Sequence, residues 1–147
     1  MQTTHISLAH GNGGRFMREL IDEIFARHLA SPELDVQADA VPLALGSDEI
    51  LFTTDGFTVQ PLEFPGGDIG SLAVHGTVND LAMAGAKPEY LTAGFILEEG
   101  LPMESLSRIV ESMQRAAEEA LERGDDAWVE YVKGVAWVLA QDRADLA

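Results

Sequence analysis

The amino-acid sequence predicts one α+β domain. A glycine loop feeds an amphipathic helix near the N-terminus, runs of β-formers lie between turn clusters in the middle, and further helical periodicity follows. At 147 residues the chain is long enough for one domain with a real core and short for two.

Ile6 to Ala9 leads into Gly11-Asn12-Gly13-Gly14, after which Phe16, Met17, Leu20, Ile21, Ile24 and Phe25 recur at helical spacing as far as His28. Ser31-Pro32-Glu33 reads as a turn. Val36 to Leu45 and Glu49 to Val59 are predicted strands separated by the turn Gly46-Ser47-Asp48; the second is rich in β-formers from Ile50 to Thr54. Pro61 to Gly67 reads as irregular. Asp68 is then the predicted N-cap of a helix carrying Ile69, Leu72, Ala73, Val78, Leu81 and Met83, which stops at Gly85-Ala86-Lys87-Pro88. Tyr90 to Leu97 reads as another strand. Gly100-Leu101-Pro102-Met103-Glu104 opens a long amphipathic helix with Leu106, Ile109, Val110, Met113 and Ala117 on one face. Gly124 marks a stop, Asp125 or Asp126 a new cap, and Trp128, Val132, Val135 and Leu139 share a face of a predicted terminal helix.

A formal net charge of -16, with only 9 Lys and Arg, argues against a nucleic-acid partner, because neutralising a polyphosphate backbone takes basic side chains. A small anion such as ATP remains open to it, since magnesium and backbone N–H groups can meet that charge. There is no cysteine, which excludes disulfides, thiolate zinc and a thiol nucleophile and fits a reducing compartment. No run approaches the roughly 18 apolar residues that cross a bilayer, so a soluble, cytoplasmic protein is expected.

Chemistry concentrates between Thr53 and Pro88, where Thr54-Asp55-Gly56, Gly66-Gly67-Asp68 and Asn79-Asp80 stand among glycines with almost no positive charge. Acids separated by turns, with small residues that let amides approach a ligand, suit a hard cation bridging nucleotide phosphates. The competing reading of each acid is a helix cap or a turn. His10-Gly11-Asn12-Gly13-Gly14 before a helix has the makings of an anion nest, or of a plain tight turn. It is no Walker loop, because no Lys-Ser or Lys-Thr follows the glycines, and no dinucleotide fingerprint follows a strand. His75 reads as a packed core residue, having no second ligand at useful spacing. Glu98-Glu99 and the acids from Glu104 to Glu122 read as a solvated face.

Taken in order, His10-Gly11-Asn12-Gly13-Gly14-Arg15, Phe52-Thr53-Thr54-Asp55-Gly56-Phe57, Phe64-Pro65-Gly66-Gly67-Asp68-Ile69-Gly70, Gly76-Thr77-Val78-Asn79-Asp80-Leu81-Ala82 and Gly94-Phe95-Ile96-Leu97-Glu98-Glu99-Gly100-Leu101-Pro102 form a series. In order and spacing it strongly resembles the HypE family of hydrogenase expression and formation proteins, over Ile6 to Glu119. That family belongs with the PurM-like ATP-using enzymes, among them aminoimidazole ribonucleotide synthetase, selenophosphate synthetase and thiamine monophosphate kinase. The resemblance implies a PurM N-terminal-like domain: a mixed β-sheet with helices packed on one side, dimerising through strands, with ATP near the subunit interface. It implies ATP and magnesium as cofactors, a homodimer, and as partners the carbamoyl transferase HypF and the HypC and HypD scaffold. The implied activity is a carbamoyl dehydratase that uses ATP to turn a thiocarboxamide on a C-terminal cysteine into a thiocyanate, whose cyanide goes to the iron of nickel-iron hydrogenases.

Carried over by position, Asp55 and Asp80 resemble the ligands of magnesium and the ATP phosphates. Asp39, within Gln37-Ala38-Asp39-Ala40-Val41, falls where such proteins carry another acidic ligand. Asn79 would hold phosphate or orient its neighbour, and the loop of His10, Gly11, Asn12, Gly13 and Gly14 resembles a segment that closes over the triphosphate. The likeness stops after Ala120, where a strand and a Gly-Asp-Thr motif are expected and Leu121-Glu122-Arg123-Gly124-Asp125-Asp126 stands instead. Residues 1–120 are therefore expected to form the ATP-binding domain and 121–147 an atypical helix, whose Trp128 and Trp137 suit covering bare apolar surface. Without a tail cysteine, dehydration in cis is excluded, so the chain is expected to bind ATP without being competent alone. The alternative is a noncatalytic dimerisation or docking module of the same machinery.

Overall fold

The computed structural model describes residues 3–32, 34–46 and 49–122. Glu33, the turn residues Ser47 and Asp48, and the predicted terminal helix after Gly124 lie outside the described residues.

Local rules explain most of the helices. After a 3-10 turn at Leu8–Gly11, α1 (Arg15–Leu20) passes through a π-helical turn (Ile21–Phe25) into α2 (Ala26–His28). The periodic apolar set buries Leu20, Ile24 and Phe25, and the wider π turn shows in the Ala26 N–H donating to the Ile21 carbonyl, one residue further back than an α-helix allows. The helix α3 (Ile69–Met83) starts at a capping box: the Asp68 carboxylate accepts the Ser71 N–H at 2.9 Å, and the Ser71 hydroxyl accepts the Asp68 N–H at 3.1 Å. It ends in a Schellman motif, with Ala86 N–H donating to Leu81 O at 2.9 Å and Gly85 N–H to Ala82 O at 3.0 Å. Gly85 stands at φ +73°, a backbone that only glycine adopts cheaply. The predicted cap and stop are both present.

The long helix α4 (Met103–Glu122) buries Met103, Leu106, Ile109, Val110, Met113, Ala116 and Ala117, the stripe expected of an amphipathic helix. It lies against α3 at close range. A Cβ on Gly70 would stand 2.4 Å from the Ile109 carbonyl oxygen, so that approach requires glycine. Around this pair, Ile6, Leu20, Ile24, Phe25, Leu29, Val74 and Leu97 complete one core, with the Phe95 ring tilted at 49° against Phe25 at a centroid distance of 4.7 Å. The N-terminus joins it by pairing antiparallel with the approach to α4: Ile6 N–H donates to Leu101 O (2.8 Å) and Gly100 N–H to Ile6 O (2.9 Å).

The α+β class holds, with far less sheet than the sequence predicts. The sheet of the described residues is one hairpin, β1 (Glu63–Phe64) antiparallel to β2 (Gly67–Asp68), turning at Gly66 with φ +95° in a stretch expected to be irregular. Val36 to Leu45, Glu49 to Val59 and Tyr90 to Leu97 form no strand among the described residues, where the hairpin is the only sheet. The reason is physical: β-formers favour an extended backbone, but a strand exists only where another backbone accepts its hydrogen bonds. Here the extended run leaves Phe52 80% exposed and Ile96 75% exposed.

Candidate functional site

Two elements carry the residues expected to bind nucleotide: the glycine loop ahead of α1, and the face of α3 with the segment lying along it. In the loop, Asn12 Oδ1 accepts the Gly14 N–H at 3.1 Å and Gly13 adopts φ +75°. Gly11, Asn12 and Gly13 are exposed, and no atom lies within 4 Å of a Cβ built on Gly13. His10 differs from its neighbours: its side chain is fully buried. Nδ1 accepts the Ser7 N–H at 3.0 Å and lies 3.0 Å from the Ser7 hydroxyl, while Nε2 lies 3.4 Å from the Thr3 hydroxyl. The Ser7 carbonyl oxygen is also 3.2 Å from Nδ1, but a nitrogen that accepts the amide has no proton to offer it. The imidazole of His10 thus faces the protein, whereas Gly11, Asn12 and Gly13 beside it are exposed.

Asn79 and Asp80 occupy the last turns of α3, both exposed. Asp55 is exposed too, its Oδ1 accepting the Gly56 N–H at 2.7 Å. What registers Asp55 against α3 is Phe57: a Cβ on Gly76 would stand 2.5 Å from Phe57 Cε1, so the ring sits directly on the helix backbone. Asp80 follows Gly76 at i+4, one turn along the same face. Asp55 thus lies two residues from a ring seated on α3, the helix that carries Asp80. Asp39 is exposed on the separate stretch that Tyr90 ties down through its hydroxyl, which donates to the Ala44 carbonyl at 2.6 Å. No group of three or more acidic or histidine side chains able to hold a metal is formed among the described residues, so the structure does not draw Asp39, Asp55 and Asp80 together.

Asp68 acts as a helix cap, and His75 is half-buried on α3. The sequence reading missed Glu99, assigned to a solvated face, whose Oε1 accepts the Leu8 N–H at 3.3 Å and so ties the glycine loop to the approach to α4. The signal available was the place of Glu98-Glu99-Gly100-Leu101-Pro102 in the motif series. No helix of the described residues is long and apolar enough to cross a membrane.

The family model for AIR synthase related protein, N-terminal domain, matches residues 37–141. The chain belongs to that family. It is 54% identical over 132 residues to the carbamoyl dehydratase HypE of Azotobacter vinelandii, an alignment covering 88% of this chain and 39% of that protein. With the carbamoyl dehydratase HypE of Escherichia coli strain K12 it shares 49% identity over 129 residues, covering 82% of this chain and 38% of the relative. Among solved structures, the hydrogenase maturation protein HypE in complex with ATP aligns at a TM-score of 0.78 and 46% identity, over 94% of this chain and 39% of that one. E. coli HypE aligns at 0.73 and 42%, over 88% and 39%. The chain thus spans about 39% of the length of these AIR synthase related relatives. Their α+β fold is the one expected from the motif series.

Proposed function

We propose that this chain is the ATP-binding part of a HypE-like carbamoyl dehydratase of nickel-iron hydrogenase maturation, and that it binds ATP with magnesium. The observation that carries the reading is the likeness, over 94% of the chain, to a HypE structure in complex with ATP. Compatible with it, Asp55, Asn79 and Asp80 are exposed, as are Gly11, Asn12 and Gly13 of the glycine loop.

Magnesium fits the donors present. Asp55 and Asp80 offer hard oxygen ligands, and this ion needs only one or two carboxylates when phosphate oxygens and water complete its shell. Asp39 would join as a more distant acid. Bound there, magnesium would supply charge neutralisation for the β and γ phosphates. The chain itself would present the loop of Gly11, Asn12, Gly13 and Gly14 to phosphate oxygens, the Gly14 N–H exchanging Asn12 Oδ1 for the anion, and Asn79 would donate its carboxamide to the same anion or orient Asp80. In the proposed reaction the carboxamide oxygen attacks the γ-phosphorus and ADP leaves; phosphate then departs with that oxygen, and two protons leave the nitrogen, giving the thiocyanate. The thiocarboxamide-bearing cysteine is not among the 147 residues of this chain, so the substrate would be presented by another segment or protein.

The exposed row Ile50, Leu51, Phe52 and Ile96 supports a homodimer in which these extended segments pair across two copies. The same surface supports the second reading, a noncatalytic dimerisation or docking module, with HypF and the HypC and HypD scaffold as partners. ATP titration by calorimetry, with and without magnesium, decides between them. Magnesium-dependent binding is expected, weakened about tenfold or more in Asp80→Asn, the size of one contact to a charged group. Unchanged affinity in that variant removes Asp80 from the site; no binding to a folded dimer leaves the docking module.

A further inference from the structure

The loop expected to meet phosphate is built from residues that cannot hold their own shape. Gly11, Gly13 and Gly14 bring no side chains to pack, Gly13 has open space around it, and ordering glycine costs more backbone entropy than ordering any other residue. Inside the loop Asn12 Oδ1 accepts the Gly14 N–H at 3.1 Å, and further order has to come from its flanks. The fully buried His10 is placed to supply it. Its Nδ1 accepts the Ser7 N–H at 3.0 Å and its Nε2 reaches Thr3 Oγ1 at 3.4 Å, tying it to the chain before the loop. Its ring packs on Phe16 at 5.6 Å and 56°, tying it to the first turn of α1 beyond the loop.

We propose that His10 is a positioning residue, which never touches the nucleotide but holds the Gly11–Gly14 amides where an anion can meet them. This rests on the nucleotide reading above for its function, though not for its geometry. Ser7-Leu8-Ala9-His10 has the spacing of a capping box, in which a Gln at the same place reaches back to the first amide. His10→Gln therefore keeps an acceptor for the Ser7 N–H. His10→Leu keeps apolar bulk and leaves that N–H without its partner, a loss worth about tenfold.

The test uses the full chain in three forms: parent, His10→Leu and His10→Gln. Magnesium-ATP affinity is measured by calorimetry, and amide hydrogen exchange of residues 11–14 is compared with that of α4 without nucleotide. The expected result is about tenfold weaker binding and faster loop exchange in His10→Leu, with α4 protection unchanged, and recovery of both in His10→Gln. Parent-like binding and loop exchange in His10→Leu overturns the proposal. So does a His10→Gln as impaired as the Leu variant, which would put the imidazole itself on the ligand, or α4 exchange accelerated as much as the loop, which would make His10 a general core residue. If the parent binds no magnesium-ATP, the nucleotide reading falls. Loop exchange then decides His10 alone: faster in Leu and restored in Gln supports it, equal in all three overturns it.

Discussion

The helical part of the molecule and the stretch from residue 50 to 59 are both rich in apolar residues and differ in what they do with them. Along α4, Leu106 and Val110 are buried completely or nearly so; along the extended stretch Ile50, Leu51 and Phe52 face solvent. A helix closes its own hydrogen bonds and needs a neighbour only for its apolar stripe, which α3 and the α1–α2 run provide here. An extended segment needs a second backbone as well as a second apolar surface, and here Phe57 finds α3 while Ile50, Leu51 and Phe52 stay exposed.

Substitution on each side breaks that contrast most directly. Leu106→Ala is expected to cost about 2–5 kcal/mol in urea unfolding, as truncations of buried leucine do. Phe52→Ser is expected to stay within about 0.5 kcal/mol when the protein is dilute enough to be monomeric, while shifting any self-association toward monomer in sedimentation. A large loss from Phe52→Ser in the monomer would mean that the extended stretch has packing of its own.

Glycine sharpens the comparison next. Gly70→Ala drives a methyl into the Ile109 backbone carbonyl, which cannot step aside, and is expected to cost about 1–3 kcal/mol. Gly76→Ala meets only the Phe57 ring, a side chain free to swing, so its stability cost should be smaller. Its larger effect is expected on magnesium-ATP binding, because that ring registers Asp55 against α3. The reverse ranking in unfolding experiments would show that Phe57 is held as firmly as the helix backbone.

The smallest effect belongs to Arg108, which bridges the hairpin and α4 through Glu63 at 2.7 Å and Glu104 at 3.0 Å. Its hydrogen bond with Glu63 raises the pKa of Arg108 above the ordinary value. A raised folded-state pKa contributes stability at every pH below the unfolded value, and that contribution is lost only as pH climbs through the folded one, in strong alkali. Varying pH through the neutral range should leave the Arg108→Ala difference unchanged, whereas added salt should shrink what little there is.

Legibility followed distance along the chain. The Asp68 cap with Ser71, the Gly85 stop and the buried stripe of α4 were readable because their partners lie within a few residues. The motif series also pointed to the family, since glycines, acids and their spacing survive as text. The inward turn of His10 was not readable, because a histidine among glycines looks like a loop residue until Phe16 and Thr3 are seen around it. Nor was the role of Glu99, whose partner Leu8 is 91 residues away in sequence.

Among the described residues, sequence alone determined the helices, the Asp68 cap and the Gly85 stop, and which acids and glycines are candidates for the nucleotide. Tertiary structure decided that His10 points inward, that Phe57 rests on α3, and that Ile50, Leu51 and Phe52 stay exposed. The division has one cause. Caps and helical faces are settled by interactions a few residues long, whereas burial, registration and strand pairing depend on which distant surface arrives, and side-chain preferences do not encode that arrival.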